Sequence, residues 1–187
     1  MAYTDKNKLR VVYGDYTLGV HGEGFDYIFS YSQGGLESIV KKGYEWLYRC
    51  PKPTFWRALT DNDRGSRFHI KSGSWLASDM FIDCKKTEVI MDGELQKQYA
   101  PDNNSYGGDV SAGEIIVKYT YETVGNPVTT VIVSYTIDVI GNIKVDVDYT
   151  GVKGLPELPV FGMRFIMPTL ADKYMYKGCL LYTSDAA

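Results

Sequence analysis

Strict alternation of apolar and polar residues runs through the second half of the chain. In residues 143–150 every second position is apolar, and Lys, Asp or Thr fills the positions between. The same pattern covers residues 131–139 and residues 115–121. Because successive side chains of a β-strand point to opposite faces, this period of two predicts half-buried strands with one solvated face. The three runs are expected to form one antiparallel meander.

Turn residues separate these runs. Gly141-Asn142 stands between the second and third strands and predicts a two-residue hairpin. Gly125-Asn126-Pro127 predicts a turn before the second strand. Residues 101–113 are rich in Pro, Asp, Asn and Gly, and they are expected to form the longest loop.

Glycine also separates short apolar runs in the first third of the chain. Candidate strands cover residues 9–13, 16–21, 25–31, 36–40 and 44–48. Short strands with glycine turns at regular spacing predict an all-β sandwich. One short helix is expected over residues 74–81, with Ser74 as its cap. Its apolar stripe would consist of Trp75, Leu76, Met80 and Phe81.

Composition limits the classes of protein and partner. The length of 187 residues suits one domain, and the net charge of −3 gives no electrostatic case for binding nucleic acid. No apolar run approaches the roughly 20 residues that span a bilayer, so no membrane partner is expected. The polar N-terminus has no apolar signal core, which favours a cytoplasmic location. Cys50, Cys84 and Cys179 lack metal-ligand spacing and fit a reducing compartment.

Motifs for catalysis within this chain are weak. The two histidines, His21 and His69, have no accompanying Gly-x-Ser-x-Gly sequence, and both are interpreted as surface or turn residues. Asp61 and Asp63 form an Asp-x-Asp pair, but the glycine and glutamate of a calcium loop do not follow. No metal site is predicted.

Residues 53–65 are the segment with most candidate functional residues. Two aromatics, Phe55 and Trp56, precede a dense cluster of charged and polar residues that ends in glycine. We interpret the segment as a loop that is anchored by the aromatics and presents polar groups. The candidate substrate-cleft residues are Arg57, Asp61, Asn62, Asp63, Arg64 and Gly65. A structural loop whose charges satisfy one another is the alternative.

The same segment resembles a known family. Residues 55–65, Phe-Trp-Arg-Ala-Leu-Thr-Asp-Asn-Asp-Arg-Gly, are similar to the aromatic-led Arg-Ala-Pro-Thr-Asp-Asn-Asp-x-Gly pattern of the small-chain domain of lactose-operon-type β-galactosidases. The departure is Leu59, where proline is usual. Further similarity lies in residues 25–31, 35–38, 45–47, Trp75 and 161–164. The resemblance covers roughly residues 9–178, and it is greatest to the separate small subunit of two-chain enzymes.

This resemblance implies a large antiparallel supersandwich like that of the galactose-mutarotase superfamily, present here incompletely. It also implies a role in hydrolysing terminal β-D-galactosides such as lactose. Retention of configuration requires two carboxylates about 5–5.5 Å apart. In the family both are glutamates on the barrel, with the Mg²⁺ site, so the catalytic groups and Mg²⁺ are expected on a large partner chain. This chain is expected to be inactive alone and to need no cofactor of its own.

The resemblance also implies roles for the segment. Arg57 is expected to be held by carboxylates, and the acidic cluster to fix the loop through bonds to its backbone. Gly65 is expected to act as a pivot. Residues 1–178 are expected to be the N-terminal part of the sandwich domain, and residues 179–187 a non-native tail. The alternative function is a stand-alone carbohydrate-binding or aldose-epimerase-like sandwich module.

Overall fold

The chain folds as two packed antiparallel sheets with a small third sheet beside them. The computed structural model describes residues 7–97, 110–124, 127–170 and 173. Its first sheet has six strands in the spatial order β5 (Tyr44–Glu45), β4 (Gly35–Lys41), β3 (Phe25–Ser30), β2 (Thr17–Gly22), β1 (Leu9–Tyr13) and β9 (Val110–Ala112). The second has five, in the order β12 (Ile143–Thr150), β11 (Thr130–Asp138), β10 (Glu114–Glu122), β7 (Asp83–Met91) and β8 (Glu94–Gln96). The third pairs β6 (Arg49–Thr54) with β13 (Gly162–Ile166). Every recorded strand pair is antiparallel, which confirms the predicted all-β class.

The predicted meander of three strands is present. Nine registered pairs join β10 to β11, and eight join β11 to β12. Along β10 and β11 buried residues alternate with half-buried ones, and every buried position holds an apolar residue or tyrosine. The period of two in the sequence therefore reports the side of each strand that faces the core.

The core lies between the two large sheets. Phe29 on β3 and Tyr135 on β11 meet edge to face with ring centroids 5.7 Å apart. Across the same gap, the single proton of the Tyr119 hydroxyl is shared between the carbonyl oxygens of Ser30 and Gly35, both at 3.2 Å. Because tyrosine has an apolar body and a polar tip, it can fill the core and still satisfy backbone oxygens at a turn. The chain has 16 tyrosines, and those in the core serve the sandwich itself.

The helix predicted over residues 74–81 is wrong. A 3₁₀ helix covers only Gly73–Trp75, and Leu76 has extended backbone with ψ of 127°. Trp75 is buried, but the other members of the predicted stripe are exposed, by 60% at Leu76, 76% at Met80 and 63% at Phe81. The helix does not continue because the backbone is extended at Leu76 and left-handed at Ala77, where φ is +61°.

Two short helices form elsewhere. α1 covers Asp61–Gly65 and α2 covers Phe68–Lys71. The prediction of a loop throughout residues 53–65 is therefore wrong at both ends, since β6 runs to Thr54 and α1 fills the end of the segment. The predicted loop over 101–113 ends in strand β9, which pairs with β1, and residues 101–109 lie outside the described residues.

The connection between β11 and β12 is four residues long, not two. Asp138 accepts backbone hydrogen bonds from Ile140 at 3.0 Å and Asn142 at 2.9 Å, and this closes the wider turn. Gly141 has φ of +76°, and a Cβ there would lie 2.6 Å from the Phe25 ring. Glycine is needed at this position for both conformation and space. The predicted turn at Gly125-Asn126-Pro127 and the tail at 179–187 include residues outside those described.

Candidate functional site

The 55–65 segment begins at a buried aromatic cluster. Phe55 is fully buried and stacks on Trp75, with ring centroids 5.5 Å apart and planes 19° apart. Its ring also lies 5.9 Å from that of Phe161 and 6.4 Å from that of Tyr149. Trp56 is half-buried and packs against the core. The predicted anchoring role of both aromatics agrees with this packing.

A two-bond ion pair closes the segment. The Arg57 guanidinium donates to both carboxylate oxygens of Asp63, at 2.6 Å and 3.1 Å. Arg57 Nε also donates to the Pro159 carbonyl oxygen at 3.2 Å. The planar fork of arginine matches a carboxylate in this arrangement. Arg57 therefore joins the start of the segment to its helix and to a distant loop.

Asp63 has the strongest electrostatic perturbation in the segment. The hydrogen bonds from the Arg57 side chain, and next the one from the Thr60 backbone N–H at 2.8 Å, hold the pKa of the Asp63 carboxyl far below its usual range. The same pair raises the pKa of Arg57. Asp63 is only 9% exposed. Both groups are charged throughout the physiological pH range, so they position the segment and do not exchange protons.

A capping box starts α1. The Thr60 hydroxyl accepts from the Asp63 backbone N–H at 3.2 Å, while the Asp63 carboxylate accepts from the Thr60 N–H. This reciprocal pair satisfies two N–H groups that a short helix would otherwise leave open. Asp63 thus serves the ion pair and the cap together. The Thr-x-x-Asp spacing in the sequence is the signal that could have predicted this helix.

The tip of the segment faces outward. Asp61, Asn62, Arg64 and Gly65 are all exposed. Asp61 pairs with Arg64 at 2.8 Å, and the two side chains are 96% and 65% exposed. Such surface pairs contribute little to stability. Of the predicted acidic group, Asp63 alone bonds to the loop backbone through its side chain, whereas Asp61 binds Arg64.

Gly65 has no conformational requirement for glycine in this structure. It ends α1 without a positive φ, and a Cβ at this position would meet no atom within 4 Å. The prediction that it acts as a pivot has no support from backbone geometry. A left-handed residue follows instead at Arg67, with φ of +56°, where the chain passes into α2.

The segment after the tip presents apolar side chains to solvent. Ile70 is 68% exposed, and Leu76, Met80 and Phe81 follow within eleven residues. Exposed apolar side chains that cluster in this way along a chain are candidates for an interaction site. This surface, which we call the 70–81 surface, adjoins the candidate segment in sequence. The sequence reading missed it because it placed three of these residues on a buried helical stripe.

Other candidate groups do not form a catalytic cluster. His21 Nδ1 lies 2.6 Å from Asp26 on an exposed hairpin, which agrees with its interpretation as a surface residue. Burial raises the pKa of Cys50 to about 11 and also raises that of Cys84, so both thiols are unreactive at neutral pH. Within the described ranges no three His, Cys, Asp or Glu residues are arranged to hold a metal ion. In the same ranges, no helix is long and apolar enough to cross a membrane.

Comparison with known proteins identifies the family. The family model described as "Beta galactosidase small chain" matches residues 21–179, and these include the whole candidate segment. The chain belongs to the β-galactosidase small-chain family. The resemblance inferred from residues 55–65 is confirmed by this match.

Individual relatives of this small-chain domain differ widely in length. The chain is 55% identical over 179 residues to the "Beta-galactosidase small subunit" of Latilactobacillus sakei, which covers 95% of this chain and 56% of the relative. It is 36% identical over 179 residues to a "Beta-galactosidase" of Clostridium acetobutylicum, covering 94% of this chain and 18% of that protein. A "Beta-galactosidase" of Halalkalibacterium halodurans is 33% identical over 166 residues, or 87% of this chain and 14% of that protein. The chain therefore spans about half of one relative and less than a fifth of the other two.

Two long-range contacts of the small-chain domain were not predicted from sequence. The Pro159 carbonyl oxygen accepts from Arg57, and the Pro156 carbonyl oxygen accepts from Trp75 Nε1 at 3.1 Å. Both prolines lie in an irregular segment between β12 and β13, so their carbonyl groups are free of strand pairing. The Leu-Pro-Glu-Leu-Pro sequence predicts such an extended segment, but no local signal identifies its partners.

Proposed function

We propose that this chain acts as part of the small subunit of a two-chain β-galactosidase. It would shape the substrate cleft of a catalytic barrel on a large chain, and the complex would hydrolyse terminal β-D-galactosides such as lactose. Membership of the small-chain family and the 55% identity to a protein named as a small subunit support the subunit assignment. A cytoplasmic location is part of the proposal.

One observation carries the role of the candidate segment. Its base is fixed by buried Phe55 and by the Arg57–Asp63 pair, while the tip from Asp61 to Gly65 is exposed. A rigid base with an accessible polar tip suits a segment that completes the surface of a neighbouring site, because little conformational entropy is lost when the neighbour binds. We propose that the tip contributes to the cleft and that the adjoining 70–81 surface packs on the large chain.

The reacting groups are assigned to the partner. The two carboxylates of a retaining glycosidase must stand about 5–5.5 Å apart around the scissile bond. The most perturbed acid described here, Asp63, is bound on both oxygens by Arg57 and cannot supply a free nucleophile or a proton. We propose that the large chain supplies both carboxylates and holds the Mg²⁺, which would be bound there by oxygen ligands.

Reconstitution tests this function. Hydrolysis of nitrophenyl galactoside would be measured in three samples. The first contains this chain, the second contains the large chain of a two-chain β-galactosidase, and the third contains both chains. The full-length Latilactobacillus sakei small subunit is the positive control for the large chain. We expect turnover only in the mixture and co-elution of the two chains in gel filtration. Turnover by this chain alone, or no association under conditions where the control associates, would reject the proposal.

A further inference from the structure

A cleft opens beside the small two-stranded sheet. It has a volume of about 300 Å³ and lies between β6, β13 and the turn that contains Asp79. Arg49 and Lys52 of β6 and Arg164 of β13 line it with cationic groups. Cys50, Met80 and Ile166 supply its apolar lining. The cleft thus combines positive charge with an apolar wall.

The charges of this cleft are only partly balanced. Arg164 and Lys52 are register partners on adjacent strands, an arrangement that is destabilising for like charges. Asp79 compensates Arg164, since its carboxylate accepts from Arg164 at 2.9 Å, and it is the one acidic group among the described residues of the lining. Three cations and one carboxylate leave a local charge of +2 on a chain whose net charge is −3.

Neither of the other two cations has an acidic partner among the described residues. Lys52 Nζ donates to the Gln33 carbonyl oxygen at 2.7 Å and lies 5.5 Å from the centre of the Tyr121 ring. Both contacts hold the ammonium group in place without neutralising it. The Arg49 guanidinium makes no hydrogen bond or ion pair with any residue of the described ranges. The Arg49 guanidinium is therefore available to a ligand in this positively charged cleft.

We propose that this cleft binds a small organic anion through a phosphate or carboxylate group. Arg49 would donate to the anion in a bidentate manner, and Lys52 would add a second charge-assisted contact. The apolar wall would contact the body of the ligand. A volume of about 300 Å³ is at the lower end of the range for ligand sites, which suits a molecule the size of a hexose derivative. None of the lining residues belongs to the 55–65 segment, although Met80 also lies on the 70–81 surface. Binding is therefore tested on the chain without a large chain, so its failure is distinct from a failure of the proposed β-galactosidase function.

Calorimetric titration of the full chain tests the site with matched probes. Glucose 6-phosphate and gluconate carry the two anionic groups, and glucose is the uncharged control. We expect at least one of the two anions to bind, glucose not to bind, and raised salt to weaken the interaction. Failure of both anions to bind at millimolar concentrations, or equal binding of glucose, would overturn the proposal. Inorganic phosphate tests the contribution of the apolar wall, because it has no organic body to contact that wall. If glucose 6-phosphate binds, inorganic phosphate should bind less tightly.

Variants then locate the binding. Arg49→Gln should raise the dissociation constant about tenfold. Arg49→Lys should raise it less, because lysine keeps the positive charge but lacks the planar guanidinium. Lys153→Gln removes an exposed lysine outside the cleft and should change binding less than twofold. A melting curve identifies any variant that fails to fold, and Lys52→Gln then serves as a second test. Unchanged binding in folded Arg49→Gln and Lys52→Gln would place the anion elsewhere and overturn the assignment.

Discussion

Arg57 and Asp63 are joined by two hydrogen bonds, at 2.6 Å and 3.1 Å, although only six positions separate them in the chain. The pair closes a small ring that includes the start of the segment and the first turn of α1. Since the Asp63 carboxylate also accepts from the Thr60 N–H, the ring and the helix cap share one group. Any substitution at this group therefore affects both features together.

Loss of this pair should reduce activity in the assembled enzyme. Asp63→Asn and Arg57→Lys each remove the two-bond geometry, so the exposed tip should lose its fixed position. We expect kcat/KM for nitrophenyl galactoside to fall about tenfold to a hundredfold, because small displacements at a cleft have effects of that size. Lys144→Gln, which breaks an exposed ion pair with Asp146 outside the 55–65 segment, is the matched control and should stay within about twofold. Equal kinetics in all three variants would indicate a passive loop.

Asp63 should make the stability of the chain depend on pH in acid. The folded-state pKa of Asp63 is depressed below its ordinary value of 3.8. A depressed pKa gives stabilisation that is fully present above the unfolded value and is lost as the pH falls through the folded value. In urea unfolding at pH 6, the free energy of unfolding should be higher for wild type than for Asp63→Asn. This difference should narrow steadily below about pH 4. A gap that stays constant down to pH 2 would contradict the ion-pair explanation.

Gly34 should not tolerate alanine. Its φ is +60°, and a Cβ would lie 2.4 Å from Cys84 Cβ and 2.8 Å from Cys84 Sγ. Gly24 is the matched control, since its φ is +77° but a Cβ there would meet no atom within 4 Å. Gly24→Ala should cost about 1–2 kcal/mol of unfolding free energy for the left-handed backbone, and Gly34→Ala about 1–3 kcal/mol more for the overlap. Equal losses in both variants would show that the Cys84 contact relaxes freely.

Loss of the hydroxyl group should have different effects on the free energy of unfolding at two core tyrosines. The Tyr121 hydroxyl donates to the Gly34 carbonyl oxygen, whereas the buried Tyr135 hydroxyl has no hydrogen-bond partner in the described ranges. Tyr121→Phe should lower the free energy of unfolding by about 1 kcal/mol. Tyr135→Phe should leave it unchanged or raise it by about 1 kcal/mol, because it removes an unsatisfied buried group. Urea melts measure both, and a clear loss in Tyr135→Phe would indicate a partner for that hydroxyl.

The sequence predicted those strands whose burial follows the period of two. β1 and β12 were predicted to the residue, and β10 and β11 to within one residue at each end. In these strands the more buried residues alternate with the more exposed ones. β6 was missed because Pro51 and Pro53 argue against a strand, yet this strand pairs on one side only, where a missing N–H is tolerated. The helix expected after Ser74 was wrong because its apolar residues are not all directed to one face.

Prediction of the candidate site was limited in a different way. The fork of Arg57 correctly predicted a carboxylate partner, and the cluster of acids placed Asp63 among the choices. The short range of that pair made it accessible to sequence reasoning. The carbonyl partners Pro156 and Pro159 lie 81 and 102 positions from Trp75 and Arg57, and only the folded sandwich brings them together.

The stacking of Trp75 on Phe55 gives the small-chain domain a built-in optical probe. The Trp75 indole is 2% exposed and packs on the aromatic ring two residues before Arg57. Along the chain, Phe55 lies between strand β6 and the polar tip. With the other two tryptophans, Trp46 and Trp56, replaced by phenylalanine, the fluorescence of Trp75 would report when a second polypeptide engages the tip, without a label at the contact itself.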